Sequence, residues 1–469
     1  MTTPLWTSRD AATATGGTAT IDWSATGISI DTRSLEKGDL FIALAGPNFN
    51  GHDFVDAAFQ AGAAAALVAR KESLKERPGL VSDDTLEAMR ALGAAARART
   101  GAKIAAITGS VGKTGTKEAL AHILCAQGLT GYSKNSLNNH LGVPLSAARL
   151  PASAAFGVFE IGMNHAGEIT PLVSLVRPHV AVVTAIASAH REFFDTVEDI
   201  ARAKGEIFSG IDGGTAIINR DTEFFPLLSG MAQDAGAGAV VSFGRHEDSD
   251  MRLIECRSDV TGNAIEARWR GDALSYHVEQ PGVHWASNSL AVLAAADAMG
   301  ANLEKAAADL ATIPALRGRG AVDVIPWGEG TIRLIDDSYN ASPESMSAAL
   351  KTLGHMQPEG GRRVAIIGDM LELGDTSRTA HAELKDHIEK NDVDTVYLAG
   401  TEMNALAEVL DSDRVAATAE TAEALLPAVL SGLRTGDVIT VKASNGTGLG
   451  RIVAALTDPE TSIRATNGD

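Results

Sequence analysis

Short apolar runs alternate with helical segments along most of the chain, and the pattern predicts three α/β units. In the first, residues 1–100, strands are expected at 39–44 and 65–69 with a helix at 54–61, and the charged helical stretch 85–100 reads as the connection onward. In the second, residues 101–320, strands are expected at 104–108, 156–161, 180–186 and 215–219. A small antiparallel insert is expected over 240–280, a helix over 285–299 and a linker over 314–320. The third, residues 321–469, repeats the pattern with strands at 333–335, 363–367, 395–399 and 438–441. Such alternation argues a parallel sheet with helices on both faces, and functional residues should cluster beyond the carboxyl ends of its strands.

The run Ile104-Ala-Ala-Ile-Thr108-Gly109-Ser110-Val111-Gly112-Lys113-Thr114 carries an apolar strand into a glycine-rich turn that opens a helix over 117–124. This layout places backbone N–H groups and a helix N-terminus around a polyanion, with Lys113 on phosphates and the Thr114 hydroxyl on Mg²⁺. Ile107 stands where the longer form of this loop has a glycine, so the loop is the shorter Gly-x-x-Gly-Lys-Thr form. ATP is the expected ligand.

Other chemistry-bearing residues lie at predicted strand ends. Glu160 ends one strand and His190 lies just past another, so a carboxylate and an imidazole could complete magnesium sites beside the phosphates. Lys204 follows on a helix. Each also fits a plain structural role, as a strand-end acid, a loop histidine and a solvated lysine. The loop 132–144 is dense in amides, Asn138 and Asn139 among them, and suits turns or sugar and phosphate recognition. Asp336-Asp337-Ser338-Tyr339-Asn340 ends a strand, where Asp337 could cap a helix or hold a ribose hydroxyl or a magnesium-bound water. Arg317-Gly-Arg319 sits on the expected hinge, from which an arginine could swing onto a γ-phosphate. The stretches 368–374 and 442–446 follow strands where such a sheet binds ligands.

Composition narrows the class. The chain has 469 residues, 45% hydrophobic and 21% charged, the proportions of a soluble globular protein of about three domains. Its formal charge of −19 weighs against nonspecific binding to nucleic acid or an anionic membrane. Two cysteines are too few for a disulfide framework and suit a reducing cytoplasm. No basic segment followed by an apolar run opens the chain, and no apolar stretch reaches the ~20 residues of a membrane span, so neither a signal peptide nor a span is expected.

Taken in order, several motifs together resemble the Mur ligase family of peptidoglycan synthesis over essentially the whole chain. They are Thr108-Gly-Ser-Val-Gly-Lys-Thr114, Asn138-Asn139-x-x-Gly142-Val-Pro144, Glu160-Ile-Gly162, His190, Lys204, His284 with Asn288, Gly318-Arg319 and Asp337-Ser-Tyr339-Asn340. The resemblance implies an α/β fold of three domains: a smaller N-terminal domain, a central phosphate-loop ATPase domain and a Rossmann-like C-terminal domain. It implies Lys113 and Thr114 on phosphates and magnesium, and Glu160 and His190 as ligands of two Mg²⁺ ions. Lys204 would carry CO₂ as a carbamate, which turns a repelled cation into an anionic ligand. His284 and Asn288 would meet the adenine, Asp337 the ribose and Arg319 the γ-phosphate. Thr32 and Arg33 would lie in a UDP pocket of the first unit, and Asn138, Asn139, Tyr339 and Asn340 are further expected substrate contacts.

Within the family, Asp31-Thr-Arg33-Ser-Leu-x-x-Gly38-Asp39-Leu-Phe-Ile-Ala-Leu44-x-Gly46, Asn50-Gly-His-Asp-Phe54 and Gly368-Asp-Met-Leu-Glu-Leu-Gly374 with His381 resemble the branch that adds D-alanyl-D-alanine to UDP-N-acetylmuramoyl-tripeptide. That branch implies an ATP-dependent amide ligase working through an acyl phosphate, a cytoplasmic monomer whose third unit takes the dipeptide. Lys113, Lys204, His190 and Arg319 are its expected catalytic groups. Asn445 stands where relatives often have arginine, and Asp-Asn-Pro-Arg, typical of relatives that add diaminopimelate, does not occur. A Mur-type or folylpolyglutamate synthetase-like ligase with another acceptor is the first alternative. The second is a switch or transport ATPase using Asp336 or Asp337 on magnesium.

Overall fold

The computed structural model describes residues 3–47, 49–188, 192–259 and 262–458. Among them, strands of the first hundred residues form a five-stranded sheet from β1 (Thr18–Ala19), β2 (Gly27–Ser29), β3 (Asp39–Ile42), β4 (Ala65–Val68) and β5 (Gly79–Val81), in the order β1-β5-β4-β3-β2. All pairs are parallel except β1 with β5. Helix α1 (Thr85–Arg99) begins where the Asp84 carboxylate caps the N–H groups of Leu86 and Glu87. It buries Ala88, Met89, Leu92 and Ala96, a stripe of helical spacing.

The central sheet has nine strands: β6 (Lys103–Thr108), β7 (Thr130–Tyr132), β8 (Phe156–Glu160), β9 (Val180–Val183), β10 (Thr215–Asn219), β11 (Ala239–Gly244), β12 (Met251–Asp259), β13 (Gly262–Trp269) and β14 (Asp272–Val278). Their order is β14-β13-β12-β11-β10-β9-β6-β8-β7. Alternate residues of each strand feed opposite cores. Ile107, Val182 and Ile217 pack with Leu120, Leu290 and Leu293 on one face, while Ala106, Val183 and Ile218 pack with Val173, Ile200 and Phe208 on the other. Each fully buried Leu or Ile contributes about 1.5–3 kcal/mol. β6 lies between β8 and β9, and the chain crosses from β8 on one side of it to β9 on the other, so a crevice opens at the carboxyl end of β6.

The stretch expected as a small antiparallel insert over 240–280 is only partly antiparallel and belongs to the central sheet. β11 is a parallel neighbour of β10, and β12 to β14 extend the same sheet as antiparallel hairpins. The turn from β13 to β14 has Arg270 at φ 50° and Gly271 at φ 100°, two positive values that match the twist of a tight hairpin. Three helices of the central region matter below: α2 (Lys113–Cys125), starting four residues earlier than expected, α3 (Gly142–Ala148) and α4 (Val197–Gly205). A fourth, α5 (His284–Ala298), covers one face.

A six-stranded sheet follows: β15 (Ala321–Trp327), β16 (Gly330–Asp337), β17 (Arg363–Gly368), β18 (Thr395–Ala399), β19 (Val415–Ala419) and β20 (Val438–Lys442), ordered β15-β16-β20-β17-β18-β19. Only β15 runs antiparallel. The apolar pattern does not reveal β1, β2, β5, β7, β15 and β19. All but β5 are edge strands; the first four have only two or three residues, and Pro326 and exposed alternate positions hide β15 and β19 from a search for apolar runs. Helix α6 (Pro343–His355) packs on this sheet through Met346, Leu350 and Leu353.

The first sheet docks on the central one through α1 and α3. A Cβ on Gly93 would stand 3.0 Å from the Pro144 carbonyl oxygen. The Trp6 indole N–H donates to the Ala148 carbonyl at 2.9 Å, and Arg149 Nε donates to the Ile28 carbonyl at 2.8 Å.

Candidate active site

A cleft of about 680 Å³ opens at the carboxyl edge of the central sheet, and the six-stranded sheet supplies its opposite wall. The phosphate loop forms its floor. Gly109 (φ 148°) and Gly112 (φ 86°) take conformations that side chains resist, and a Cβ on Gly112 would stand 2.7 Å from Asn288 Oδ1. The loop is laced to the segment after β9. Ser110 N–H donates to the Ala185 carbonyl at 2.7 Å, its hydroxyl exchanges hydrogen bonds with Ala187, and Thr184 Oγ1 donates to the Val111 carbonyl at 2.7 Å. Lys113 Nζ folds back on the Gly109 and Ser110 carbonyls at 2.5 and 3.1 Å. Burial holds its pKa below the usual lysine value, with Glu160 opposing and Arg319 adding to the shift. Thr114 is buried in the first turn of α2.

Glu160 ends β8 at 1% exposure. Its Oε1 accepts a hydrogen bond from Asn138 Nδ2 at 2.7 Å, and its Oε2 is buried with no partner. Lys204, on α4, is 1% exposed; burial, reinforced by Lys113, pushes its pKa well below the ordinary lysine value. His190 lies outside the described residues. Its flanks reach the opposite wall: Ser188 N–H donates to Glu344 Oε1 at 2.8 Å, and Glu192 N–H to the Glu372 carbonyl at 3.1 Å. Among the described residues no three His, Cys, Asp or Glu side chains form a ready metal cage.

The hinge is built on Asp336. This buried carboxylate accepts from Gly318 N–H at 2.7 Å and from Ser338 Oγ at 2.6 Å, and Gly318 turns at φ 75°. The turn sends Arg319 into the cleft, where its guanidinium lies 4.3 Å above the Tyr339 ring centroid and donates to Ser136 Oγ at 3.1 Å. Arg317 points elsewhere and pairs with Asp323. Asp337 Oδ2 accepts from Lys442 Nζ at 2.8 Å, and the same ammonium donates to the Asn340 carbonyl at 2.8 Å. His284 opens α5 with its ring toward the cleft. Desolvation by the surrounding walls lowers its pKa, Asp337 opposes that shift and Lys442 adds to it. Leu371 N–H donates to Ser444 Oγ at 2.9 Å, which joins the loops after β17 and β20 into one ledge on the cleft.

The cleft therefore brings together the phosphate loop, Glu160, Asn138, His284, Asn288, Arg319, Asp337, Tyr339 and Asn340. Asn139 is placed differently: its Oδ1 accepts the N–H groups of Leu141 and Gly142 and so opens α3. Thr32 and Arg33 lie in a turn of the first unit, where the exposed Arg33 guanidinium pairs with Asp31 at 2.6 Å. Ser136, Asp336 and Lys442 gained their roles only from the fold. An acid directly before Asp337 and a lysine ending an apolar strand were the available signals.

Comparison with known proteins agrees with this geometry. Family profiles match over residues 24–127 (Mur ligase family, catalytic domain), 107–296 (Mur ligase middle domain) and 323–445 (Mur ligase, glutamate ligase domain). UDP-N-acetylmuramoyl-tripeptide--D-alanyl-D-alanine ligase of Rickettsia prowazekii is 32% identical over 453 residues, covering 96% of this chain and 99% of the relative. A crystal structure of MurF from Acinetobacter baumannii superposes with a TM-score of 0.83 at 31% identity, covering 97% of this chain and 99% of that one. MurF ligase from Thermotoga maritima in complex with ADP superposes with a TM-score of 0.76 at 25% identity, covering 94% and 98%. By sequence and by fold, this chain belongs to the Mur ligase family.

Proposed function

We propose that this protein joins D-alanyl-D-alanine to UDP-N-acetylmuramoyl-tripeptide at the expense of ATP, a step of peptidoglycan synthesis. The observation that carries this reading is the cleft itself, which faces a phosphate loop and an acid on one sheet with a hinge arginine and a second acid on another. Chain-long likeness to named D-alanyl-D-alanine ligases supports the acceptor and the dipeptide.

The tripeptide's terminal carboxylate attacks the γ-phosphorus, the bond to the β-phosphate oxygen breaks, and ADP leaves behind an acyl phosphate. The dipeptide amine then attacks the acyl carbon, loses a proton, and phosphate departs as the amide forms. Bringing a carboxylate to a triphosphate makes charge neutralisation the main demand. Lys113 and the N–H groups opening α2 meet the phosphates, and Arg319 meets the γ-phosphate. Asp337 holds the ribose, and His284 and Asn288 flank the adenine. Thr32 and Arg33 lie on the UDP side, with Asn138, Tyr339 and Asn340 nearer the reacting groups. Asn139 acts by holding the start of α3. Contact between the two walls shields the acyl phosphate from water.

The residues fit magnesium on one observation, the buried and unpartnered Glu160 Oε2, a free hard-oxygen donor. Thr114, Glu160 and His190 would hold two Mg²⁺ ions, whose charge would offset that of the triphosphate and the incoming carboxylate. Lys204 fits a carbamate because burial disfavours its ammonium and so favours the uncharged amine, the form that adds CO₂. The protein is taken to act as a cytoplasmic monomer, and two cysteines, too few for a disulfide framework, suit that setting. No helix of the described residues is long and apolar enough to cross a membrane.

The test is phosphate release from Mg-ATP with each substrate omitted in turn. Release that needs both the UDP-muramoyl tripeptide and D-alanyl-D-alanine is expected. Release indifferent to the muramoyl peptide would overturn the assignment.

A further inference from the structure

Lys117 stands one helical turn after Lys113 on α2, yet it is fully buried. An unpaired ammonium in such a place is costly, so its partners define its use. Its Nζ donates to the Ser133 carbonyl at 2.7 Å, to the Asn135 carbonyl at 2.9 Å and to the Glu118 carboxylate. An ammonium has three N–H donors, and these three acceptors take them all. Lys117 is therefore no second phosphate ligand. It ties the helix that follows the phosphate loop to the segment leaving β7.

That segment carries two contacts of the site. Asn135 takes a left-handed conformation at φ 53°, and the chain then presents Ser136, whose hydroxyl accepts from Arg319, and Asn138, whose amide donates to Glu160. Asn138 is seated by its own backbone: its N–H donates to the Ser136 carbonyl, and its carbonyl accepts from Gly162 N–H, both at 2.9 Å. A Cβ on Gly162 would stand 2.9 Å from the Asn138 amide carbon, so the segment has little room to shift. One buried cation thus holds the piece of chain that touches both the hinge arginine and the candidate magnesium acid.

We propose that Lys117 is a positioning residue for phosphoryl transfer, acting through residues 133–138 on Arg319 and Glu160. The inference rests on the reading of those two groups given above. Lys117→Met keeps the length of the side chain and removes every donor. ADP lacks the γ-phosphate, so its binding reports on the phosphate loop and not on Arg319. Lys117→Met is expected to lower kcat for phosphate release by about tenfold or more while the Kd for ADP without magnesium, measured by calorimetry, stays within about threefold. Ser136→Ala is expected to add less than about twofold to that loss, because two residues of one network do not act independently.

Asn135→Val guards against misfolding of the buried variant. It lies at an exposed position, and a β-branched residue resists φ 53°, so it displaces a carbonyl that Lys117 holds. It too is expected to lower kcat and spare ADP binding. Three outcomes overturn the proposal: native kcat in either single variant, loss of ADP affinity in step with kcat, or a double variant whose loss is the product of the singles. Arg319→Ala separates the two levels. If it releases phosphate at the native rate, the reading of Arg319 falls. If it is slow while Lys117→Met is not, only the positioning role falls.

Discussion

The Lys442 ammonium lies 2.8 Å from Asp337 Oδ2, at a register where β16 and β20 end side by side. The lysine side chain is 3% exposed and the aspartate 25%. The contact engages Oδ2, so in the proposed reaction Asp337 Oδ1 would be the oxygen offered to a ribose hydroxyl. Its two halves differ in what removal leaves behind. Asp337→Ala strands a buried cation and is expected to cost about 2–3 kcal/mol, below the full cost of a buried pair because Asp337 is partly hydrated. Lys442→Met leaves an acid that water can reach and should cost less. Urea midpoints of the two variants check the order.

Lys204 gives a pH dependence. Its folded pKa lies well below the 10.5 of an unfolded lysine, because burial and Lys113 disfavour its charge. Between the two values the unfolded chain binds the extra proton, so stability rises with pH through that window. Below the folded pKa the whole penalty is present. In CO₂-free buffer Lys204→Met is therefore expected to stabilise the protein at neutral pH, with the advantage shrinking as pH approaches 10.5. Denaturation of both proteins along a pH series measures it. Lys204→Ala should also lose turnover, and a short carboxylic acid should restore part of it.

Gly112→Ala is expected to weaken Mg-ADP binding by about tenfold, or 1.4 kcal/mol. A Cβ there meets Asn288 Oδ1 at 2.7 Å, and φ 86° strains any residue but glycine. Calorimetry gives the affinity, and an unchanged circular dichroism spectrum shows that the fold persists.

Arg319 stacks on Tyr339 at 4.3 Å, a contact of about 1 kcal/mol in a partly exposed site. Tyr339→Leu is expected to lower kcat about fivefold. Arg319→Ala should lower it by about 10²–10³, since it removes the charge itself. Phosphate release at saturating substrates checks both, and an equal loss in the two variants would make Tyr339 more than a platform.

The phosphate loop was readable because all its information is local. Two glycines, a lysine and a threonine follow a strand within one turn, and backbone geometry does the rest. The strands of both main sheets that carry the site were readable as apolar runs for the same reason. β15 and β19 were not, because edge strands bury only part of their surface. The hairpins β12 to β14 were recognised as antiparallel but not as part of the central sheet, since a two-residue parallel overlap at Phe243 and Gly244 joins them to it. Site residues legible one by one, such as Glu160 and Arg319, were legible only as candidates.

The sequence alone determined the class of the elements with strong apolar runs, the anion-binding turn and the order of the family's motifs, because propensity, periodicity and glycine geometry act over a few residues. Only the tertiary structure decided which groups meet. Arg319 reaches Ser136 across 183 positions, and Lys442 reaches Asp337 across 105. It also decided what each lysine does: Lys113 folds back on the phosphate loop, Lys117 ties α2 to the segment leaving β7, and Lys204 is buried where its charge is disfavoured. Charge state and hydrogen bonding depend on the local dielectric and on neighbours distant in sequence, and packing supplies both.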